Sequence, residues 1–253
     1  MRDDLKRLVR KTLHTLSALP EERMRLELLG RTLSRLEPFD IARFIDALYR
    51  TNVGSGAAAM ARSVLVNPEG LKRAIGTDKY RRTYLAAIHL GLTKVSRLFT
   101  DLPPHKKGMA GYDKEEDVRM EHLTLGQRRA LSRTGKKDDL DRLLSDPDPV
   151  VIGNLLDNPR LLERDVLKIA SRRPGSPGIM KLLAGHGKWS KRYPVRRALA
   201  TNPYTPPRIA IALLEFLMAQ DLREISDDDT LHPQVRLSAG ERLGERGEKR
   251  QRE

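Results

Sequence analysis

The chain has 253 residues, no cysteine and a formal net charge of +14. Its length can bury a substantial core as one body or two subdomains, and 39% apolar with only 4% aromatic residues suits Leu/Ala-rich helix packing. Disulfides and thiolate metal sites are excluded, and no apolar run approaches the ~20 residues of a membrane span.

In chain order, Leu5, Leu8, Val9, Leu13, Leu16 and Leu19 fall at helical spacing, with Arg2, Lys6, Arg7, Arg10 and Lys11 mostly on other faces. A basic amphipathic helix can bind membranes or partners, but the expectation is that this stripe docks on a core. The first 19 residues are charged throughout and lack an apolar h-region, so no secretory signal is read and a cytoplasmic location is expected. Further helices are predicted over 22–36, 40–50, 56–66, 71–75 and 79–98. Residues 101–117 read as a loop, and Thr124 with Gln127 matches a capping box that opens the next helix. The resulting division is a basic helical region over 1–100, a linker over 101–120, helical repeats over 121–243 and a fraying charged tail over 244–253.

The repeats are read from recurring Asn-Pro steps. Three of the five asparagines precede proline, at Asn67-Pro68, Asn158-Pro159 and Asn202-Pro203, spaced by 91 and 44 residues. Those spacings approximate two units and one unit of about 45, a period of helical-hairpin solenoids. Proline drives the preceding residue out of the α region and cannot donate the next helical hydrogen bond, so a helix stops there. Thr205 and Pro206 then suggest an N-cap and a first-turn proline before the apolar run from Ile209. A proline-valine start precedes two of the steps, at Pro149-Val150 and Pro194-Val195, with a looser echo at Pro233 and Val235.

The segments 146–159 and 195–207 resemble the HEAT-like and leucine-rich-repeat-variant families of bacterial α-solenoids, over roughly 124–243. The resemblance implies an all-α fold, a right-handed α-solenoid with an additional N-terminal helical region, and a curved surface for binding. A variant-repeat protein of this type carries a cysteine-bound iron–sulfur cluster, which this chain lacks the ligands to hold.

Charge is the strongest functional hint. Residues 1–110 carry 21 basic against 11 acidic side chains, a net +10. Dibasic pairs recur, and the candidate contacts for an acidic partner or phosphate are Lys72, Arg73, Arg81, Arg82, Arg128, Arg129, Arg172, Arg173, Lys191, Arg192, Arg196 and Arg197. Lys106-Lys107 and Lys136-Lys137 are further pairs. A continuous stripe through Lys72, Arg73, Arg81, Arg82, Lys94 and Arg97 favours nucleic-acid backbone; interrupting acids weaken that reading. The bland reading of all these cations is a solvated helix surface.

Catalytic patterns fail on spacing. Gly54-Ser55-Gly56 and Ala59 fit G-x-G-x-x-A, but helical periodicity precedes them where a dinucleotide site needs a strand, and Ser55 reads as an N-cap. Histidines 14, 89, 105, 122, 186 and 232 show no ligand spacing, and Asp227–Asp229 lacks the Gly and Glu of a calcium loop. Trp189 among Lys188, Lys191 and Arg192 resembles the basic, tryptophan-bearing face of HEAT-like alkylpurine DNA glycosylases, although a lone Trp is more simply packing. The expectation is a non-enzymatic scaffold that binds an acidic protein through its concave face, without cofactor or metal. Phosphate-backbone binding by the N-terminal half is the alternative, and a glycosylase a remote one.

Overall fold

The computed structural model describes residues 2–50, 62–106, 122–134 and 136–250. The described residues form fifteen α-helices and no strand. They are α1 (Arg2–Ala18), α2 (Glu22–Ser34), α3 (Pro38–Arg50), α4 (Pro68–Ile75), α5 (Thr77–His89), α6 (Thr93–Leu98), α7 (Leu125–Thr134) and α8 (Lys137–Leu143). There follow α9 (Pro149–Asp157), α10 (Glu163–Ser171), α11 (Pro177–Gly185), α12 (Tyr193–Ala200), α13 (Pro207–Leu214), α14 (Ala219–Asp227) and α15 (Pro233–Arg250). Short 3₁₀ turns occupy Val64–Val66 and Trp189–Lys191.

Contacts divide the chain into two compact units, one of residues 1–102 with 207–253 and one of residues 103–206. In the first, α1 docks as expected, with Val9, Leu13 and Leu16 buried and the helix packed on α2 and α3. Gly30 of α2 allows close approach to α4, because a Cβ there would stand 2.4 Å from the Ala74 Cβ. α13 is buried at all eight positions. A helix buried on every side has no solvent face, so it becomes the centre of a unit. It packs on α6, α15 and the Val64–Val66 turn, which places residues 207–243, read from sequence as the end of the repeats, in the same unit as the N-terminal helices.

Several predicted boundaries shift for identifiable reasons. The helix expected over 79–98 is two helices, because Gly91 adopts φ +65° and the chain turns there. Gly91 N donates to Ile88 O at 2.9 Å and Leu92 N to Ala87 O at 2.9 Å, the paired bonds of a Schellman C-cap. Gly91→Ala forces Cβ into the left-handed region and is expected to cost about 1 kcal/mol, measured by urea unfolding. The capping box forms as predicted: Gln127 N donates to Thr124 Oγ1 and Thr124 N to Gln127 Oε1. Thr205 does not cap: α13 starts at Pro207, and the buried Thr205 hydroxyl has no hydrogen-bond partner. Residues 244–250, expected to fray, continue α15, where Arg246 Nη1 donates to Leu217 O and Glu245 pairs with Arg242 and Lys94. The G-x-G-x-x-A stretch, Ser55, Lys107 and most of the 101–120 linker lie outside the described residues.

In the second unit α7, α9 and α11 pack in succession, α10 packs on α12, and α8 bridges α7 and α9. Two buried asparagines join helices of this unit. Asn158 Nδ2 donates to Ser132 O and Arg133 O at the end of α7, both at 3.0 Å, while its Oδ1 accepts from Arg160 N. Asn202 repeats the arrangement one step on: Nδ2 donates to Ala170 O (2.8 Å) and Arg172 O (3.1 Å) at the end of α10, and Oδ1 accepts from Tyr204 N. Each carboxamide therefore satisfies carbonyls that a helix end leaves without intrahelical partners. Asn67 acts differently. It is the N-cap of α4, its Oδ1 accepting from Gly70 N at 2.9 Å, so the first Asn-Pro step opens a helix in the other unit and is not a copy of the later two.

Candidate interaction surfaces and charged clusters

The twelve candidate cations do not remain together as a free basic surface. Five are part-buried and seven exposed. Arg128 Nε donates to Asp146 at 2.7 Å, and Arg129 forks onto both oxygens of Asp148 at 3.2 and 3.1 Å. Asp148 in turn caps α9 by accepting from Val150 N and Val151 N. Arg172 donates to Ser145 O, Arg173 to Thr201 O at 2.8 Å, and Arg196 to Ser190 O at 2.7 Å. Arg192 lies 3.6 Å from Glu163, while Lys191 and Arg197 are exposed. In the first unit Lys72 is held by Asp101 at 2.7 Å, Arg82 stands 3.9 Å from Asp78, and Arg73 and Arg81 are exposed. Lys94 pairs with Glu245 and Arg97 with Glu241. Acidic residues thus interrupt the stripe that favoured nucleic acid.

Much of the positive charge has an internal use. Arg25 donates to Leu19 O and Pro20 O beyond α1, Lys79 to Ser34 O and Leu36 O at the end of α2, and Arg236 to Ser226 O near the end of α14. Short helices leave many terminal carbonyls, each with partial negative charge, and long cationic side chains are suited to meet them. Sequence gives the charge but not this destination, since an acceptor such as Ser34 O or Leu36 O lies far from its lysine in the chain.

Two charged clusters sit within the first unit. In one, Arg208 bridges Asp101 and Glu69, its Nη2 lying 2.5 Å from Glu69 Oε1, and Asp101 also accepts from Lys72. Lys72 Nζ lies 5.0 Å from the Tyr80 ring centroid, and the Tyr80 hydroxyl donates to Leu98 O. Burial pushes the Tyr80 phenol above its ordinary range. In the other, the buried carboxylate of Glu215 meets Arg62 at 3.2 Å and Arg242 at 2.6 Å, and Arg242 also meets Glu245 at 2.9 Å. Lys94 and Arg62 lie 4.7 and 5.8 Å from the Tyr49 ring centroid. Burial, reinforced by Glu215, raises the Tyr49 phenol as well. The cavity between Tyr49, Lys94 and Glu215 is about 30 Å³, room for ordered water. Sequence periodicity passed over Arg208, Asp101, Glu215 and Arg242; the one visible signal was an arginine opening the otherwise apolar α13.

These ion pairs predict an acid limb. Arg129 holds the Asp148 carboxyl below the ordinary carboxylate range. For Asp101, Glu245 and Asp165, which pairs with Lys137 at 2.7 Å and accepts from Leu162 N, burial pushes the carboxyl up, but the hydrogen bonds and surrounding cations outweigh it and the net direction is down. A folded-state pKa below the unfolded value adds stability that is fully present above that value and is lost as pH falls through the folded one. Urea midpoints are expected to be flat near neutrality and to fall below about pH 4. A midpoint unchanged in strong acid contradicts the assignment.

Trp189 is buried and its Nε1 donates to Leu156 O at 2.8 Å, so the ring belongs to the packing of the second unit and presents no face to a base. Asp228 turns inward to accept from Thr230 N and its hydroxyl. No group of three or more potential metal ligands occurs among the described residues, and none of their helices is long and apolar enough to cross a membrane. No family model, curated protein or solved structure matches the chain.

Proposed function

We propose that the chain is a non-enzymatic scaffold that binds an acidic protein surface, its second unit being a short right-handed solenoid of HEAT-like character. The observation that carries this reading is the repeated clamp: Asn158 and Asn202 each reach back to the end of an earlier helix, so successive helix pairs stack by the same device. Stacked helices of this kind present extended surfaces whose exposed side chains are available to a partner. On this reading the exposed side chains of Lys191, Arg192 and Arg197 meet its acidic groups.

Direct binding of nucleic-acid backbone is the second reading, favoured by the exposure of Arg73, Arg81 and Arg82. A salt series with a fluorescent random-sequence DNA duplex, run beside an acidic polypeptide, separates the two. The scaffold reading expects association with the polypeptide that weakens when Lys191 and Arg197 become Glu. A DNA affinity that falls linearly on a log–log salt plot, and is lost when Arg81 and Arg82 become Glu, overturns it.

A further inference from the structure

The outer face of α5 carries apolar side chains that the core of its unit does not use. The helix buries Tyr80, Thr83, Ala86 and Ala87. On the opposite side Leu85 and Ile88, one turn apart, are 62% and 53% exposed. Phe39, at the start of α3, is 43% exposed, and its ring meets that of His89 edge-on at 5.6 Å. This contact sets Phe39 against the His89 end of the exposed face of α5.

A basic rim adjoins it. Residues 81, 82, 85, 88 and 89 share a helix face by their three- and four-residue spacing, so two arginines lie one turn from Leu85. α5 carries Lys79, Arg81 and Arg82 against Asp78 alone. Lys79 turns away to the carbonyls beyond α2, and the Arg82–Asp78 pair is long and solvated. On α3, Arg43 and Asp40 pair with one another at 3.4 Å.

We propose that this face docks the apolar side of an acidic amphipathic helix supplied by a partner protein. Leu85, Ile88 and Phe39 cover its apolar stripe, while Arg81 and Arg82 meet its carboxylates at one end. A second copy of the chain fits less well, because a self-complementary contact sets arginine against arginine. A lipid surface fits less well too, because the apolar stripe spans only two turns. The surface lies in the first unit and is independent of the scaffold role assigned to the second.

The test is fluorescence anisotropy of the full chain with a labelled synthetic helix bearing a leucine stripe and glutamate flanks, beside a counterpart with lysine flanks. The glutamate peptide is expected to bind saturably and about tenfold more tightly than the lysine one. Leu85→Gln with Ile88→Gln should weaken it about tenfold, and Arg81→Glu with Arg82→Glu by about fivefold or more, with circular dichroism unchanged. Lys191→Glu and Arg197→Glu should leave it untouched, so failure here and failure of the scaffold reading are distinguishable. No saturable binding, equal binding of both peptides, or unchanged affinity in both α5 variants overturns the proposal. So does finding that the Leu85 and Ile88 substitutions instead abolish binding to phosphatidylserine vesicles or a concentration-dependent dimer.

Discussion

Asn202→Ala is expected to remove roughly 2–4 kcal/mol of stability, the range for losing buried hydrogen bonds and leaving a partner unsatisfied. The side chain is 2% exposed and makes three hydrogen bonds, two donated to Ala170 O and Arg172 O and one accepted from Tyr204 N. Alanine removes all three and leaves the carbonyl end of α10 without its donor in a place water does not reach. Asn158→Ala should behave alike, since the same bonds hold the end of α7. Asn67→Ala, by contrast, removes a single N-cap bond and should cost about 1 kcal/mol. Asn202→Asp provides a sharper signature. A carboxylate has no donor and would face two carbonyl oxygens, so this variant should be worse than alanine at neutral pH and recover as acid protonates it. Urea unfolding of the three asparagine variants checks the ranking; equal losses at Asn67 and Asn202 would contradict the distinction between cap and clamp.

Arg208→Met should cost roughly 2–3 kcal/mol, below the 3–5 expected where an ion pair is wholly buried. The guanidinium is 5% exposed, but Asp101 and Glu69 are 44% and 43% exposed, so water can solvate part of what the substitution leaves unpaired. Methionine retains much of the packing, and the loss therefore reports the charge contacts. Arg208→Lys should recover only part of it, because a single ammonium cannot span two carboxylates in the manner of a fork. Asp101 would keep Lys72 but lose one of its two cations, so its carboxyl rises toward the ordinary range and the acid limb moves to higher pH. Double-mutant cycles with Asp101→Asn and Glu69→Gln isolate the two pairs; couplings near zero in both would make Arg208 a packing residue only.

The local elements were largely legible in the sequence because they depend on near neighbours. The leucine spacing in α1, the Thr124–Gln127 capping box and the helix-ending asparagines before Pro159 and Pro203 act within a few residues, and the structure contains each. Gly91 shows the limit of that reading: apolar periodicity runs through it, yet a glycine able to take positive φ divides the helix. The equivalence of the three Asn-Pro steps failed for the same reason that their spacing was attractive. The dipeptide specifies where a helix can end or begin, not what the carboxamide reaches.

The sequence by itself determined an all-helical chain with helix ends at asparagine and proline, and a large surplus of positive charge. Tertiary structure decided where that charge goes. Arg172, Arg173 and Arg196 read as partner contacts by composition, but each guanidinium meets a carbonyl. It also decided that α13, buried on every side, joins the N-terminal helices, and that Leu85 and Ile88 stay outside any core. The physical reason is range. Helix propensity and capping are settled over three or four residues, whereas burial and the choice of ion-pair or hydrogen-bond partner depend on segments such as Asp101 and Arg208 that only the fold brings together.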